Sequence, residues 1–130
     1  MRPRTTRVYE HGRYRCAMVT NTGVRSWYTL KVALCKKYPS FQSDYHAFLK
    51  ELEINPFAGE SLGRHTYKHR MAITSKGKGK SGGARVLTYN IQRLNENEVF
   101  VTLMTIYDKG EISNVTDTFI RSLVQQIEVQ

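Results

Sequence analysis

Acidic residues are missing from the middle of this chain. From Ser61 to Asn95 there is no Asp or Glu, while Arg64, Lys68, Arg70, Lys76, Lys78, Lys80, Arg85 and Arg93 all fall inside that window. Solubility alone does not require an acid-free stretch, so the window is expected to form a basic surface for a polyanion. The absence of acids also argues against a two-metal nuclease, which needs carboxylates to hold its ions. No metal or other cofactor is expected. Apolar runs are short, and none approaches the ~20 residues of a membrane helix. The N-terminal "MRPRTTRVYEHGRYR" carries charge without a following apolar segment, so it does not read as a secretory signal and a cytoplasmic protein is expected. Cysteine is scarce: Cys16 and Cys35 stand far apart without a CxxC or His/Cys cluster, and both are expected as reduced core residues.

What is present is a basic chain of 130 residues, with 20 Lys and Arg against 11 Asp and Glu and 40% hydrophobic residues. That length and apolar content suit one domain with a modest core. Residues 1–12 read as a basic arm and 13–130 as the domain. "RYRCAMV", Arg13 to Val19, alternates like a first strand. Trp27, Leu30, Leu34 and Tyr38 recur at helical spacing, predicting a helix from about Val24 to Lys37, stopped by Pro39. Ser40 or Ser43 can cap a second helix carrying Phe41, Tyr45, Phe48, Leu49 and Leu52, ended by Asn55-Pro56. "FAGESLGRH" reads as a loop. Three strands follow, around Tyr67–Thr74, Ala84–Gln92 and Glu98–Tyr107. Phe119, Ile120, Leu123, Val124 and Ile127 mark a closing helix. The order β-α-α-β-β-β-α predicts an α+β domain with a small, largely antiparallel four-stranded sheet and helices packed on one face.

The chemistry concentrates in "TYKHRMAITSKGKGKSGGARVLTY", Thr66 to Tyr89. Gly79-Lys80-Ser81 resembles the end of a phosphate-binding P-loop. The earlier glycine of that motif is Thr74 here, and a strand rather than a helix follows, so the match is false. What remains is a glycine-rich loop with three lysines, whose main chain and ammonium groups can approach successive phosphates. Lys68 and Arg70 leave one face of their strand about 7 Å apart, the spacing of adjacent phosphates, given ~3.3 Å per residue. Arg85 enters the next strand and is expected as an exposed arginine near that pair. RNA supplies its own nucleophile in the 2′-hydroxyl. Cleavage then needs a proton acceptor, cations for the phosphorane charge, and a proton for the leaving oxygen. His69 shares the packed face with Tyr67 and Met71 and reads as a buried histidine; His65, in the loop, can reach a phosphate.

"ELEINPFAGESLGRHTYKHRMAITSKGKGKSGGARVLTYNI" followed by "VFVTLMTIYDKGEISNVT" resembles the RelE/ParE superfamily of bacterial type II toxins, especially its RelE and HigB-like branch. The resemblance runs from about Lys36 to Val124. It is carried by "NP..G..LG", "YKHR", "GKGKSGGAR" and "IYDKGE" in the family's order. It implies a RelE-like fold and a ribosome-dependent, metal-free mRNA endonuclease that inhibits translation. It also implies a cognate antitoxin as partner, with operator DNA bound only by the toxin–antitoxin complex, and no membrane association. By position, Lys68, Arg70, Arg85, Tyr107 and Lys109 take the catalytic places, while Arg64, His65, Lys76, Lys78 and Lys80 take RNA-binding places. Relatives that use a late tyrosine have no counterpart here: no Tyr or His follows Tyr107, and Thr116 stands about where it would fall. The general base stays open among Tyr107, Lys68 and Lys109. Residues 1–25 depart from the family pattern. Two other functions are weighed: a ParE-like gyrase inhibitor, against which the basic set argues, and a non-catalytic RNA- or ribosome-binding module.

Overall fold

The computed structural model describes residues 4–10, 16–20, 23–77, 79–80, 82–93, 97–112 and 114–128, with backbone alone for 16–20 and 23–25. The domain is α+β. Strand β1 (Thr5–Glu10) is followed by a hairpin of β2 (Cys16–Thr20) and β3 (Gly23–Ser26), then helices α1 (Trp27–Lys37) and α2 (Phe41–Ile54). Strands β4 (Glu60–Gly63), β5 (Thr66–Met71), β6 (Ala84–Arg93) and β7 (Glu98–Asp108) come next, and helix α3 (Asp117–Glu128) follows. The main sheet has five strands in the order β1-β7-β6-β5-β4, while β2 and β3 pair separately. β4 to β7 run antiparallel to their neighbours, and β1 joins β7 in parallel.

Three expectations are corrected. The sheet is five-stranded and mixed, rather than four-stranded and largely antiparallel. Residues 5–10 of the expected arm form an edge strand, because the β-branched Thr6 and Val8 alternate inward against β7. The segment expected as first strand contributes Cys16–Thr20 to the small hairpin instead, and Arg13 to Arg15 lie outside the described residues. That hairpin also delays α1. Gly23–Ser26 is spent on pairing, and the helix starts at Trp27 once the Ser26 hydroxyl accepts from the Thr29 amide at 3.2 Å.

α2 follows its sequence pattern closely. Ser40 precedes it, Asn55-Pro56 ends it, and Phe41, Phe48 and Leu52 are its buried stripe. Burying Phe41 completely contributes about 1.5–3 kcal/mol. α1 and α2 cover one face of the sheet, where Phe48 meets the His69 ring edge-on at 5.9 Å and Tyr38 donates to Asp108. α3 lies over the opposite face: Tyr89, on the other side of its strand from Thr88, donates to Glu128 at 3.0 Å. Helices therefore occupy both faces, not one. Leu87, which shares the Tyr89 face, has no exposed surface, and Ile120, Leu123 and Val124 of α3 are buried. Among the described residues no helix is long and apolar enough to cross a membrane.

A basic cleft where strand β4 begins

Sheet register brings the basic residues together. Arg70 on β5 pairs directly with Arg85 on β6, which pairs with Tyr107 on β7. Directly paired residues project from the same face. One pair along the same face, Glu60 on β4 stands opposite Lys68 on β5. β4 pairs only as far as Lys68, so the edge of β5 is uncovered from His69 onward. Into this gap opens a cleft of about 350 Å³, walled by Glu51 and Leu52 of α2 and by the 55–59 link. Lys68, Arg70, Lys80, Arg85 and Lys109 all line it. The link passes close over β5 at Gly59, where a Cβ would sit 2.6 Å from the Lys68 carbonyl oxygen. Only glycine permits that approach.

The cations of the cleft differ in exposure. Arg70 is exposed, whereas Arg85 keeps 6% of its surface, correcting the expected surface arginine. Its guanidinium donates to the carbonyls of Lys80 at 3.2 Å and Ala84 at 3.3 Å, so the arginine also secures the root of the glycine-rich loop. Two carboxylates share the cleft. Glu60 lies 3.3 Å from Lys68, and Glu51 lies 3.3 Å from Lys80. Both pairs have open carboxylates and contribute little to stability.

The remaining expected site residues go elsewhere. Tyr107 is 3% exposed and does not line the cleft; burial pushes its phenol up, with the Arg85 charge opposing. Lys76 turns inward to Asp108 at 2.7 Å, with only 12% of its side chain exposed, and so serves the fold rather than a ligand surface. Arg64 pairs with Asp117 at 3.1 Å, and His65 stands edge-on to Tyr89 at 5.8 Å, both away from the cleft. These two residues form the β4–β5 turn with positive φ of 52° and 60°. Such a turn is usually signalled by Asn-Gly, which explains why β4 was read as loop. Lys78 lies outside the described residues. The structure adds Glu51 and Glu60 to the cleft; no local pattern in the sequence marks either of them.

His69 is buried as expected. Desolvation brings its imidazole down to about 4, so it is neutral at physiological pH, with Nε2 sharing a hydrogen bond with the Thr88 hydroxyl at 3.1 Å. Cys35 is a free, half-buried thiol against the core; the Cys16 side chain lies outside the description. No protein-family model matches the chain.

Proposed function

We propose that the protein is a toxin of the RelE/ParE superfamily, a ribosome-dependent mRNA endonuclease acting in the cytoplasm and restrained by a cognate antitoxin. The family's β-α-α-β-β-β-α order then runs through β1, α1, α2, β5, β6, β7 and α3, with the β2–β3 hairpin and β4 as additions. One observation carries the activity: cations from β5, β6, the glycine-rich loop and the end of β7 converge on a single cleft. Arg70 and Arg85, in directly paired register, can hold two oxygens of one phosphate, and their charge favours the pentacoordinate state over the ground state. Lys68, Lys80 and Lys109 extend the field along a strand of message.

Purified protein with programmed ribosomes and end-labelled message is the test. Discrete breaks within codons are expected from the wild type. Arg70→Ala, at an exposed position, is expected to lower the cleavage rate by about 10²–10³-fold, the range for loss of one transition-state donor, with unchanged thermal stability. For the half-structural Arg85, Arg85→Lys keeps the charge and loses the fork, and is expected to cut the rate without unfolding the domain. Intact message in the presence of wild-type protein rejects the nuclease. The burial of Tyr107 favours a second function, a ribosome-binding module without chemistry. Binding of intact message by wild type and Arg70→Ala alike is its signature.

A further inference from the structure

Sheet register sets a row of aromatic and basic side chains at the far end of the face that carries Arg70 and Arg85. Arg85, Leu87 and Tyr89 alternate along β6 and so leave one face of the sheet. On that face Tyr9 of β1 pairs with Thr102 of β7, which pairs with Tyr89 of β6. The next row sets Arg7 beside Phe100, and the one after it sets Glu98 beside Arg93. α3 covers Tyr89, but Tyr9 in the same row keeps 50% of its surface, Phe100 is half-buried and Arg93 is exposed. The Tyr9 and Phe100 rings lie 9° from parallel with centroids 6.4 Å apart, and the Arg93 guanidinium stands 4.9 Å from the centre of the Phe100 ring. From ~3.3 Å per residue and ~4.8 Å per strand, Tyr9 is about 16 Å from Arg85 and lies outside the cleft.

We infer that this second patch holds unpaired bases of a single-stranded polynucleotide. Tyr9, Phe100 and Arg93 offer flat surfaces side by side on an open part of the sheet, and every base has a flat face to lay on them. Sheets bind single strands in this way, with splayed bases stacked on aromatic rings or guanidinium planes. Charge selects the same ligand. In these rows two guanidiniums, of Arg7 and Arg93, stand against one carboxylate, Glu98, which is 18% exposed and turned to Arg7 at 3.5 Å. Glu128, at the end of α3, accepts from Tyr89. A phosphate backbone therefore meets a net positive rim on a chain of formal charge +9. A duplex is the wrong ligand, because its bases are already stacked on one another. The Tyr9–Phe100 contact also ties β1 to β7, so the test uses replacements that keep an apolar cover there. Binding at this patch needs no cleavage, and it stands apart from the proposed nuclease.

Binding of a labelled single-stranded RNA of about 12 nucleotides is measured by fluorescence anisotropy, with an abasic strand of the same length as a second probe. The proteins compared are wild type, Tyr9→Leu, Phe100→Leu, Tyr9→Trp and the cleft variant Arg70→Ala. Tyr9→Leu is expected to weaken RNA binding about 5- to 100-fold, the range for loss of one base stack, with the melting temperature of wild type. Its affinity for the abasic strand is expected to equal that of wild type. Tyr9→Trp is expected to bind as tightly as wild type and to have its indole fluorescence quenched by RNA; Trp27, 1% exposed, gives a constant background. Because the two sites lie apart, the losses from Tyr9→Leu and Arg70→Ala are expected to add. Tyr9→Leu and Phe100→Leu both within about threefold of wild type overturn the assignment. Equal losses on RNA and on the abasic strand overturn it too, since no base contact is then lost. Should Tyr9→Leu fail to fold, Tyr9→Trp decides alone: RNA bound without quenching rejects the patch. A dimer that Tyr9→Leu dissociates without change in RNA affinity makes the patch an interface between copies and likewise overturns it. Intact message with wild-type protein, alongside the expected binding results, rejects the nuclease and leaves this assignment in place.

Discussion

Asp108 and His69 show how single side chains couple this fold to pH. Burial alone would raise the Asp108 carboxyl, but hydrogen bonds from Lys76, Tyr38 and the Gly110 amide, with the Lys76 charge, hold it at about 2. The unfolded carboxyl titrates near 3.8. Its contribution is therefore complete above about 3.8 and is lost as pH falls through about 2, an effect of roughly 2 kcal/mol. His69 acts in a higher window. The unfolded imidazole takes a proton near 6.5 while the folded one resists until about 4. The unfolded state thus binds more protons between those values, and stability falls on acidification across them by roughly 3 kcal/mol. Urea unfolding as a function of pH is expected to show both declines. His69→Gln is expected to flatten the slope between pH 6.5 and 4 and leave the lower decline in place. An unchanged slope in that variant would mean that His69 is not the titrating group. At this scale, the burial of His69 was legible from its alternation with Lys68 and Arg70. The inward turn of Lys76 was not, because its partner Asp108 lies on a strand distant in sequence.

The elements around the glycine-rich loop are joined at their roots. After β5 the chain makes a single helical turn, Thr74–Lys76, held to the start of α2 by Asp44, which accepts from the Thr74 amide at 2.8 Å and its hydroxyl at 2.6 Å. Ser40 meets Ser75, and Lys76 reaches Asp108. Where the loop returns, the Gly83 carbonyl accepts from the Lys109 amide at 3.1 Å, linking the ends of β6 and β7. A Cβ at Gly83 would lie 2.1 Å from the Met71 carbonyl oxygen, a backbone atom that no rotamer change can move. Gly83→Ala is therefore expected to destabilise the domain by about 1–3 kcal/mol through a parted β5–β6 end, measured by thermal or urea unfolding. A variant as stable as wild type would show that the two strands can separate there at no cost. Helix α2 and strands β5, β6 and β7 were readable because their apolar periods are long and their ends carry Ser, Pro or Gly. β1, β3 and β4 were not. Each is four to six residues long, with strand character supplied by a partner rather than by its own pattern.

For the whole molecule, the formal charge of +9 sets how binding responds to salt. Counterions released from a single strand give a slope of about −0.7 per phosphate contacted. Three to five contacts from the cleft cations then predict a log–log slope of roughly −2 to −3.5 for single-stranded RNA, measured by fluorescence anisotropy across salt concentrations. The low end applies if Lys68 and Lys80 stay on their glutamates, and a flat response would reject the cleft as a polyanion site. The amino-acid sequence by itself determined the excess of cations, their acid-free window, the alternation that separates Lys68 and Arg70 from His69, and the α+β class. All of these are local or compositional. Only the tertiary structure decided which cations meet. Pairing of β5 with β6 and β7 aligned Arg70, Arg85 and Tyr107, and the folded domain buried Arg85 and Tyr107 while leaving Arg70 exposed. It also withdrew Lys76 to Asp108 and set Glu60 beside Lys68, because register and burial come from contacts between residues far apart in the chain.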